Sequence, residues 1–284
     1  MKICRTIEQA REACQEARRA SARIGLVPTM GALHDGHLSL VRAAKAQANF
    51  VTVSIFVNPL QFGPTEDFGK YPRTFERDCD LVERERIDLL FAPSVAEMYP
   101  KDAVTYVNVE NLSERLDGKS RPGHFRGVTT VVAKLFDIIE PHVALFGQKD
   151  AAQVAVIRRM VRDLNMPVEI VACPIVREPD GLAMSSRNAY LDSDQRRQAL
   201  VLRQALAEVQ MRFDQGERCA ARLIEGGKHV LQREPAVRLD YLEVVNPDTL
   251  EAVESIAESA LVAVAAYVGT TRLIDNVVLK PNRP

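Results

Sequence analysis

Neither G-x-x-x-x-G-K-[ST] nor G-x-G-x-x-G occurs in the 284 residues, so the sequence offers no Walker-type or dinucleotide-binding phosphate loop. A G-x-S-x-G elbow is also missing, which weakens a serine-hydrolase reading. Five cysteines, at 4, 14, 79, 173 and 219, are odd in number, widely spaced and without a C-x-x-C. They indicate neither a disulfide framework nor a cysteine zinc site, and they suit a reducing compartment. The longest apolar run, ALVAVAAYV at 260–268, is too short to span a bilayer. The opening stretch MKICRTIEQAREACQEARRA lacks an apolar signal core. Lys and Arg total 37 against 38 acids, a formal net charge of −1, which leaves no basic excess for nucleic acid. The expectation is a soluble, cytoplasmic protein with no membrane or nucleic-acid partner, and with room for a local basic pocket that takes a small anion.

What is present can fill one large domain or two ordinary ones, with 46% apolar and 26% charged residues. Thr6 followed by Gln9 reads as a capping box opening a helix over 6–20. A strand at 24–29, a helix at 37–48 and a strongly β-branched strand at 50–57 follow. The pattern continues with helix 73–86, strand 87–94, helix 128–139, strand 142–147, helix 152–165 and strand 168–176. Such alternation predicts an α/β fold, a doubly wound Rossmann-like parallel sheet. Residues 177–192 break the pattern with Pro, Gly, Ser and Asn. Helices at 193–214 and about 217–233 and strands at 241–246, 260–268 and 271–279 then suggest a smaller α+β C-terminal domain. The expected boundaries are 1–176 and 177–284.

Polar, glycine-bearing stretches fall at three strand ends: PTMGALHDGH, NPLQFG and GQKD. Open parallel sheets bind ligands at the carboxyl ends of their strands, near a change in strand order. His34 and His37 are two of five histidines, and three readings compete for them. A metal site needs a third ligand, and the stretch lacks H-E-x-x-H. A capping or packing role is the plain alternative. An anion site uses Gly36 for close backbone approach and the amides opening the next helix for phosphate. The imidazoles then stabilise charge on a leaving pyrophosphate.

In GQKD, Gly147 lies just beyond a strand and Lys149 can bridge phosphate oxygens. Asp150 can accept from a ribose hydroxyl or support a metal ion, or the whole stretch is an acid-capped helix start. MSSRN (184–188) offers Ser185, Ser186 and Arg187, whose guanidinium suits two-point capture of phosphate, or it is simply a turn. Gln61 and Gln153 are two-way hydrogen bonders suited to a hydroxy acid, though each alone reads as surface. RPGHFRG (121–127) is a second-rank anion contact. Asp78 and Asp80 are expected on a solvated helix face.

Taken in order, PTMGALHDGH, FVNPLQFG, YPRTFERDCD, RPGHFRGVTTVVAKLF, FGQKDAAQ and GLAMSSRNAYL closely resemble the pantoate–β-alanine ligase family, over about residues 24 to 192. HDGH and MSSRN are similar to the H-x-G-H and K-M-S-K-S-type elements of the wider nucleotidyl-transferase superfamily. FVNPxQFG and PTMGxLHxGH are far more specific to this family. A tRNA-acting relative would carry an anticodon-binding domain and a basic surface, for which the short stretch after residue 176 and the net charge leave little support.

The resemblance implies that ATP and (R)-pantoate give pantoyl adenylate and pyrophosphate, with Mg²⁺ required. The amine of β-alanine then attacks the adenylate, releasing pantothenate, a coenzyme A precursor, and AMP, with no covalent enzyme intermediate. Carried over by position, Met30, Gly31, Ala32, Leu33, His34, Asp35, Gly36 and His37 line the ATP site. Gly147, Gln148, Lys149 and Asp150 cradle the nucleotide with help from Val176, and Met184, Ser185, Ser186 and Arg187 close over the triphosphate. His37, His34, Lys149 and Arg187 carry the catalytic work, His37 as general acid or charge stabiliser. Gln61 and Gln153, beside Met30, hold pantoate, and Gln61 also meets β-alanine. The resemblance further implies a homodimer and a second domain acting as a lid, and it names no Mg²⁺ ligands. The chain departs from the family pattern at Ala151 and Ala152, where an aromatic residue and a glutamine are common, so a changed pocket shape beside Gln153 is expected.

Overall fold

The alternating pattern of the first 176 residues becomes a six-stranded parallel sheet in the computed structural model, which describes residues 1–64 and 66–281. Positions 282–284 of the expected second domain lie outside the described residues. The strands are β1 (Lys2–Cys4), β2 (Ile24–Thr29), β3 (Phe50–Ile55), β4 (Leu89–Phe91), β5 (Val143–Gly147) and β6 (Glu169–Cys173), in the order β1-β4-β3-β2-β5-β6. All five pairings are parallel. Strand β1 escaped the sequence reading because only one of its three residues is buried, too little for a period-two signal.

Successive strand residues feed opposite faces of this sheet. Ile24, Leu26, Leu89, Phe91, Ala144 and Phe146 enter one apolar cluster. Val27, Val51, Val53, Leu90, Val143 and Leu145 enter another. That is the period-two geometry of a strand, and burial on both faces explains why the strands read as continuous apolar runs.

Helices α1 (Ile7–Arg19), α2 (Asp35–Lys45) and α3 (Phe75–Arg84) are followed by the single turns α4 (Val95–Met98) and α5 (Asp117–Ser120). Then come α6 (His124–Ile139), α7 (Ala151–Asp163), α8 (Ser193–Asp214) and α9 (Ala220–Leu231). The Thr6–Gln9 capping box opens α1 as expected. Helix α2 begins two residues earlier than its apolar pattern suggested, because His34 caps it. Helix α6 starts four residues earlier. Within its β-branched run the buried Thr129 and Thr130 hydroxyls are satisfied by donating to the carbonyls of Phe125 and Arg126 at 2.8 and 2.6 Å.

Strands β7 (Val237–Val245), β8 (Ala260–Val268) and β9 (Thr271–Leu279) form a separate antiparallel sheet, with a register shift between Leu239 and Tyr241. Their inner face packs with α8 and α9 in an apolar cluster running from Leu182 to Leu279. Val245, Leu250, Leu261 and Ala263 pack instead into the cluster of the large sheet. Arg272 bridges the two sheets' surroundings, donating to Asp117 at 2.7 Å and to Asp240 at 2.8 Å. Among the described residues no helix is long and apolar enough to cross a membrane.

Candidate active site

Strand order reverses between β2 and β5, the switch point at which open α/β sheets bind ligands. These two strands pair only at Gly25–Val143 and Leu26–Ala144, although β2 runs on to Thr29 and β5 to Gly147. Their carboxyl ends therefore part, and a cleft of about 220 Å³ opens between them. All three strand-end loops singled out in the sequence reach it, together with the 184–187 stretch.

His34 is the N-cap of α2, and its Nδ1 accepts from the Gly36 amide at 3.1 Å. His37, in the first turn, turns its Nδ1 toward the His34 amide at 3.4 Å. The capping reading holds for the pair, and both rings also line the cleft. With Nδ1 of each ring used as an acceptor, the proton sits on Nε2, which is left to donate. The rings lie 4.1 Å apart between centroids. Burial, then the Lys149 charge, lowers His34 to about 4. Burial, then His34 and Lys149, lowers His37 to about 3. Both rings are therefore held neutral near pH 7, each able to donate from Nε2.

The backbone between Met30 and His34 turns sharply, with Gly31 at φ +84° and Ala32 at φ +50°. The left-handed region suits glycine and costs alanine ~1 kcal/mol. Asp78 corrects the sequence expectation here. Asp80 is exposed, but Asp78 on the same helix is 1% exposed and turned toward this loop. Its carboxylate accepts from the amides of Ala32 and Leu33 at 2.8 Å each. Consequently Met30, His34, Gly36 and His37 line the cleft, whereas Gly31, Ala32, Leu33 and Asp35 do not.

Gln61 is buried rather than on the surface. Asn58 Nδ2 donates to Gln61 Oε1 and to the Gly127 carbonyl, both at 3.0 Å, and Tyr99 Oη donates to Asn58 Oδ1 at 2.9 Å. Gln61 Nε2 in turn faces Met30 Sδ at 3.0 Å. Gly127 is required for this approach: a Cβ there would stand 2.2 Å from the Leu60 carbonyl oxygen. The basic RPGHFRG loop serves Gln61 as well. Arg121 is held by Glu66 through contacts of 2.7 and 2.6 Å, and His124 Nδ1 meets the Gln61 carbonyl at 2.8 Å. Arg121 lines the cleft but is already paired with Glu66. Gln153 lines the cleft from α7. Ala151 and Ala152 do not; both are buried in the core.

Among the described residues three cations line the cleft. Arg121 has Glu66, and Arg187 has Asp67 through two contacts of 2.9 Å. Lys149 has only Asp150 at 3.9 Å, so its charge is the least committed. Ser185 caps the turn that carries Arg187, Ser186 meets Tyr71 Oη at 3.1 Å, and the Val176 carbonyl accepts from the Met184 amide at 3.0 Å. Gln148 points away from the cleft, its Nε2 facing Asn276 Oδ1 at 3.3 Å. Among the described residues no group of three His, Cys, Asp or Glu side chains can hold a metal ion. Among the described residues Asp150 is the single carboxylate on the cleft wall.

Asn58 and Tyr71 both stand inside family-like stretches, FVNPLQFG and YPRTFERDCD, but nothing except tertiary contact marks them individually as cleft residues. The apolar wall of Val128, Val131, Val132 and Leu135 was legible only as helix core.

Comparison with known proteins agrees along nearly the full length. The family model described as pantoate-beta-alanine ligase matches residues 2–278. A pantothenate synthetase of Koribacter versatilis is 60% identical over 280 residues, covering 99% of this chain and 96% of that one. One from Acidobacterium capsulatum is 61% identical over 290 residues, covering 98% and 97%. The crystal structure of pantothenate synthetase from Thermus thermophilus superposes with a TM-score of 0.93 at 46% identity, covering 98% of this chain and 99% of that one. A pantoate-beta-alanine ligase from Francisella tularensis, complexed with beta-gamma ATP and beta-alanine, gives 0.81 at 33% identity, covering 98% and 97%.

Proposed function

The chain belongs to the pantoate-beta-alanine ligase family and is a ligase, and from that premise we propose how its cleft condenses (R)-pantoate with β-alanine at the expense of ATP. The observation that carries the reading is the meeting of two unlike subsites in one cleft. One holds the Nε2 donors of His34 and His37 at the start of α2, with Lys149 opposite. The other sets the amides of Gln61 and Gln153 against the apolar wall of Val131 and Leu135.

The polar subsite suits a triphosphate, since two neutral Nε2 donors and a loosely paired lysine can face developing negative charge. The amide subsite suits a small, branched hydroxy acid: the glutamines match its hydroxyl and carboxylate oxygens, and the aliphatic wall matches its methyl groups. Pantoate held there directs its carboxylate at the α-phosphorus. The bond from that phosphorus to the bridging oxygen breaks, and pyrophosphate leaves against His37 and Lys149. The amine of β-alanine then attacks the acyl carbon of the adenylate, losing a proton as AMP departs. Gln61 touches both acids in this scheme.

Magnesium enters as the complex of ATP. A substrate-borne Mg²⁺ needs one or two carboxylates beside the phosphates rather than a full protein cage, and Asp150 fits that demand. The ion supplies charge neutralisation on the phosphates. Arg187 and the 184–186 turn close over the nucleotide, with residues 177–284 as the lid domain and 1–176 as the ATP- and pantoate-binding domain. A closed cleft keeps water from the adenylate. The protein works as a cytoplasmic homodimer, which sedimentation at micromolar concentration tests.

The decisive experiment is isotope exchange between pyrophosphate and ATP without β-alanine. Exchange that depends on pantoate is expected. Exchange that requires β-alanine, or that proceeds equally without pantoate, overturns the two-step reading.

A further inference from the structure

We infer that Asp78 is a positioning residue for adenylate formation, acting through the backbone of residues 31–33 rather than on substrate; this rests on the reaction proposed above.

Asp78 sits one turn into α3, nearly inaccessible to solvent. Its Oδ2 accepts from the Ala32 amide and its Oδ1 from the Leu33 amide, each at 2.8 Å, and Oδ1 also accepts from the Thr74 hydroxyl at 3.1 Å. Among the described residues no cation pairs with it within 4 Å. Consecutive amides beside a left-handed residue form a concavity that binds anions. In a loop expected to cradle phosphate, that concavity is instead filled by the protein's own carboxylate. The neighbouring Arg77 completes the grip by donating to the Leu33 carbonyl at 3.0 Å.

This grip has a direct consequence for the site. The clamped residues stand between Met30, which touches Gln61, and His34, which caps α2 and supports His37. Ala32 is held at φ +50° without the freedom of glycine, so its conformation depends on the two amide contacts. Losing them frees the loop to relax, moving both imidazoles relative to the α-phosphorus while leaving the lysine and glutamines in place. A displacement near 1 Å at such a point lowers a rate by about 10²-fold.

The test compares wild type, Asp78→Asn and the double variant Asp78→Asn/Ala32→Gly in pantoate-dependent pyrophosphate exchange, with amide hydrogen exchange of residues 30–38 on the same samples. Asn keeps the shape but offers one acceptor and a repelling amide. Asp78→Asn is expected to lower kcat roughly 10- to 100-fold with the KM for pantoate within about threefold. It should lose protection at Ala32 and Leu33 while α6 and α7 keep theirs. Glycine at 32 holds the left-handed turn unaided, so the double variant should regain about tenfold or more of kcat. Unchanged kcat in Asp78→Asn overturns the inference. So does a loss that tracks the unfolded fraction, or a double variant no better than the single one. If the wild type shows no pantoate-dependent exchange, the proposed reaction falls instead, and the protection data still report whether Asp78 holds the loop.

Discussion

Arg187 and Asp67 face each other in a two-point ion pair, Nε to Oδ2 and Nη2 to Oδ1, both at 2.9 Å. Both side chains are largely shielded, with 26% and 23% of their surface exposed. The Arg187 guanidinium holds the Asp67 carboxyl below the usual carboxylate range, against the opposing pull of burial. The cation that the proposed reading places on the triphosphate thus already has an anion, and on that reading nucleotide binding exchanges one for the other.

Replacing Asp67 by Asn removes the competing charge while keeping shape. The KM for ATP should fall about three- to tenfold, the range for a half-buried paired charge. Steady-state titration of ATP at saturating pantoate measures it, and an unchanged KM shows that the pair persists in the substrate complex.

His37 is a neutral Nε2 donor, so a glutamine amide can imitate part of its role and alanine cannot. His37→Ala should slow pyrophosphate exchange about 10²- to 10³-fold, the scale for losing one preorganised donor. His37→Gln should retain at least tenfold more activity than His37→Ala. Equal loss in both variants would return His37 to acid catalysis or to structure.

His34, His37 and His124 are all depressed from 6.5, to about 4, 3 and 4. For His124, burial and then the Arg121 charge are the causes. The unfolded chain binds more protons than the folded one between these values and 6.5, so this contribution is complete above pH 6.5 and drains away as pH falls toward 3. Urea midpoints should fall with increasing slope as pH is lowered from about 6.5 to 5, with roughly three protons taken up on unfolding at pH 5. A flat midpoint over that interval contradicts the neutral-histidine assignment.

Gln153→Ala should raise the KM for pantoate about 10- to 100-fold, the cost of an unpaired group in a polar subsite. The KM for ATP should stay within about threefold. Parallel loss of both affinities points to misfolding of α7 instead.

Asn276, on β9 and 4% exposed, donates to the carbonyls of Gln148 and Lys149 at 2.9 Å each. The second sheet thereby fixes the turn that carries Lys149. Asn276→Asp keeps the size but removes both donors and should destabilise the protein by ~1–3 kcal/mol. Denaturant melts read that loss, and exchange rates should fall further than stability alone explains.

Period-two and helical patterns determined most of the elements and the doubly wound class, because burial on both sheet faces or on one helix face leaves its mark in local order. Where a signal was short or displaced, as at β1 and the starts of α2 and α6, local order was insufficient. The H-x-G-H, NPLQFG, GQKD and MSSRN stretches were likewise legible, since strand-end loops with charged and amide side chains are informative wherever they occur. Asp78 was misread for a physical reason: an aspartate in a charged amphipathic helix looks solvated until another loop brings two amides to it. Arg121 looked free for the same reason, its partner Glu66 lying 55 residues away.

The sequence by itself determined five of the six strands of the large sheet, the longer helices between them and the residue types able to handle a nucleotide and a small acid. Only the tertiary structure decided which of those residues share a cleft, which imidazole nitrogens are spent on backbone, and which charges are already paired. Periodicity records what each residue buries, whereas hydrogen bonds and ion pairs between distant segments depend on distances that exist only once the chain has folded.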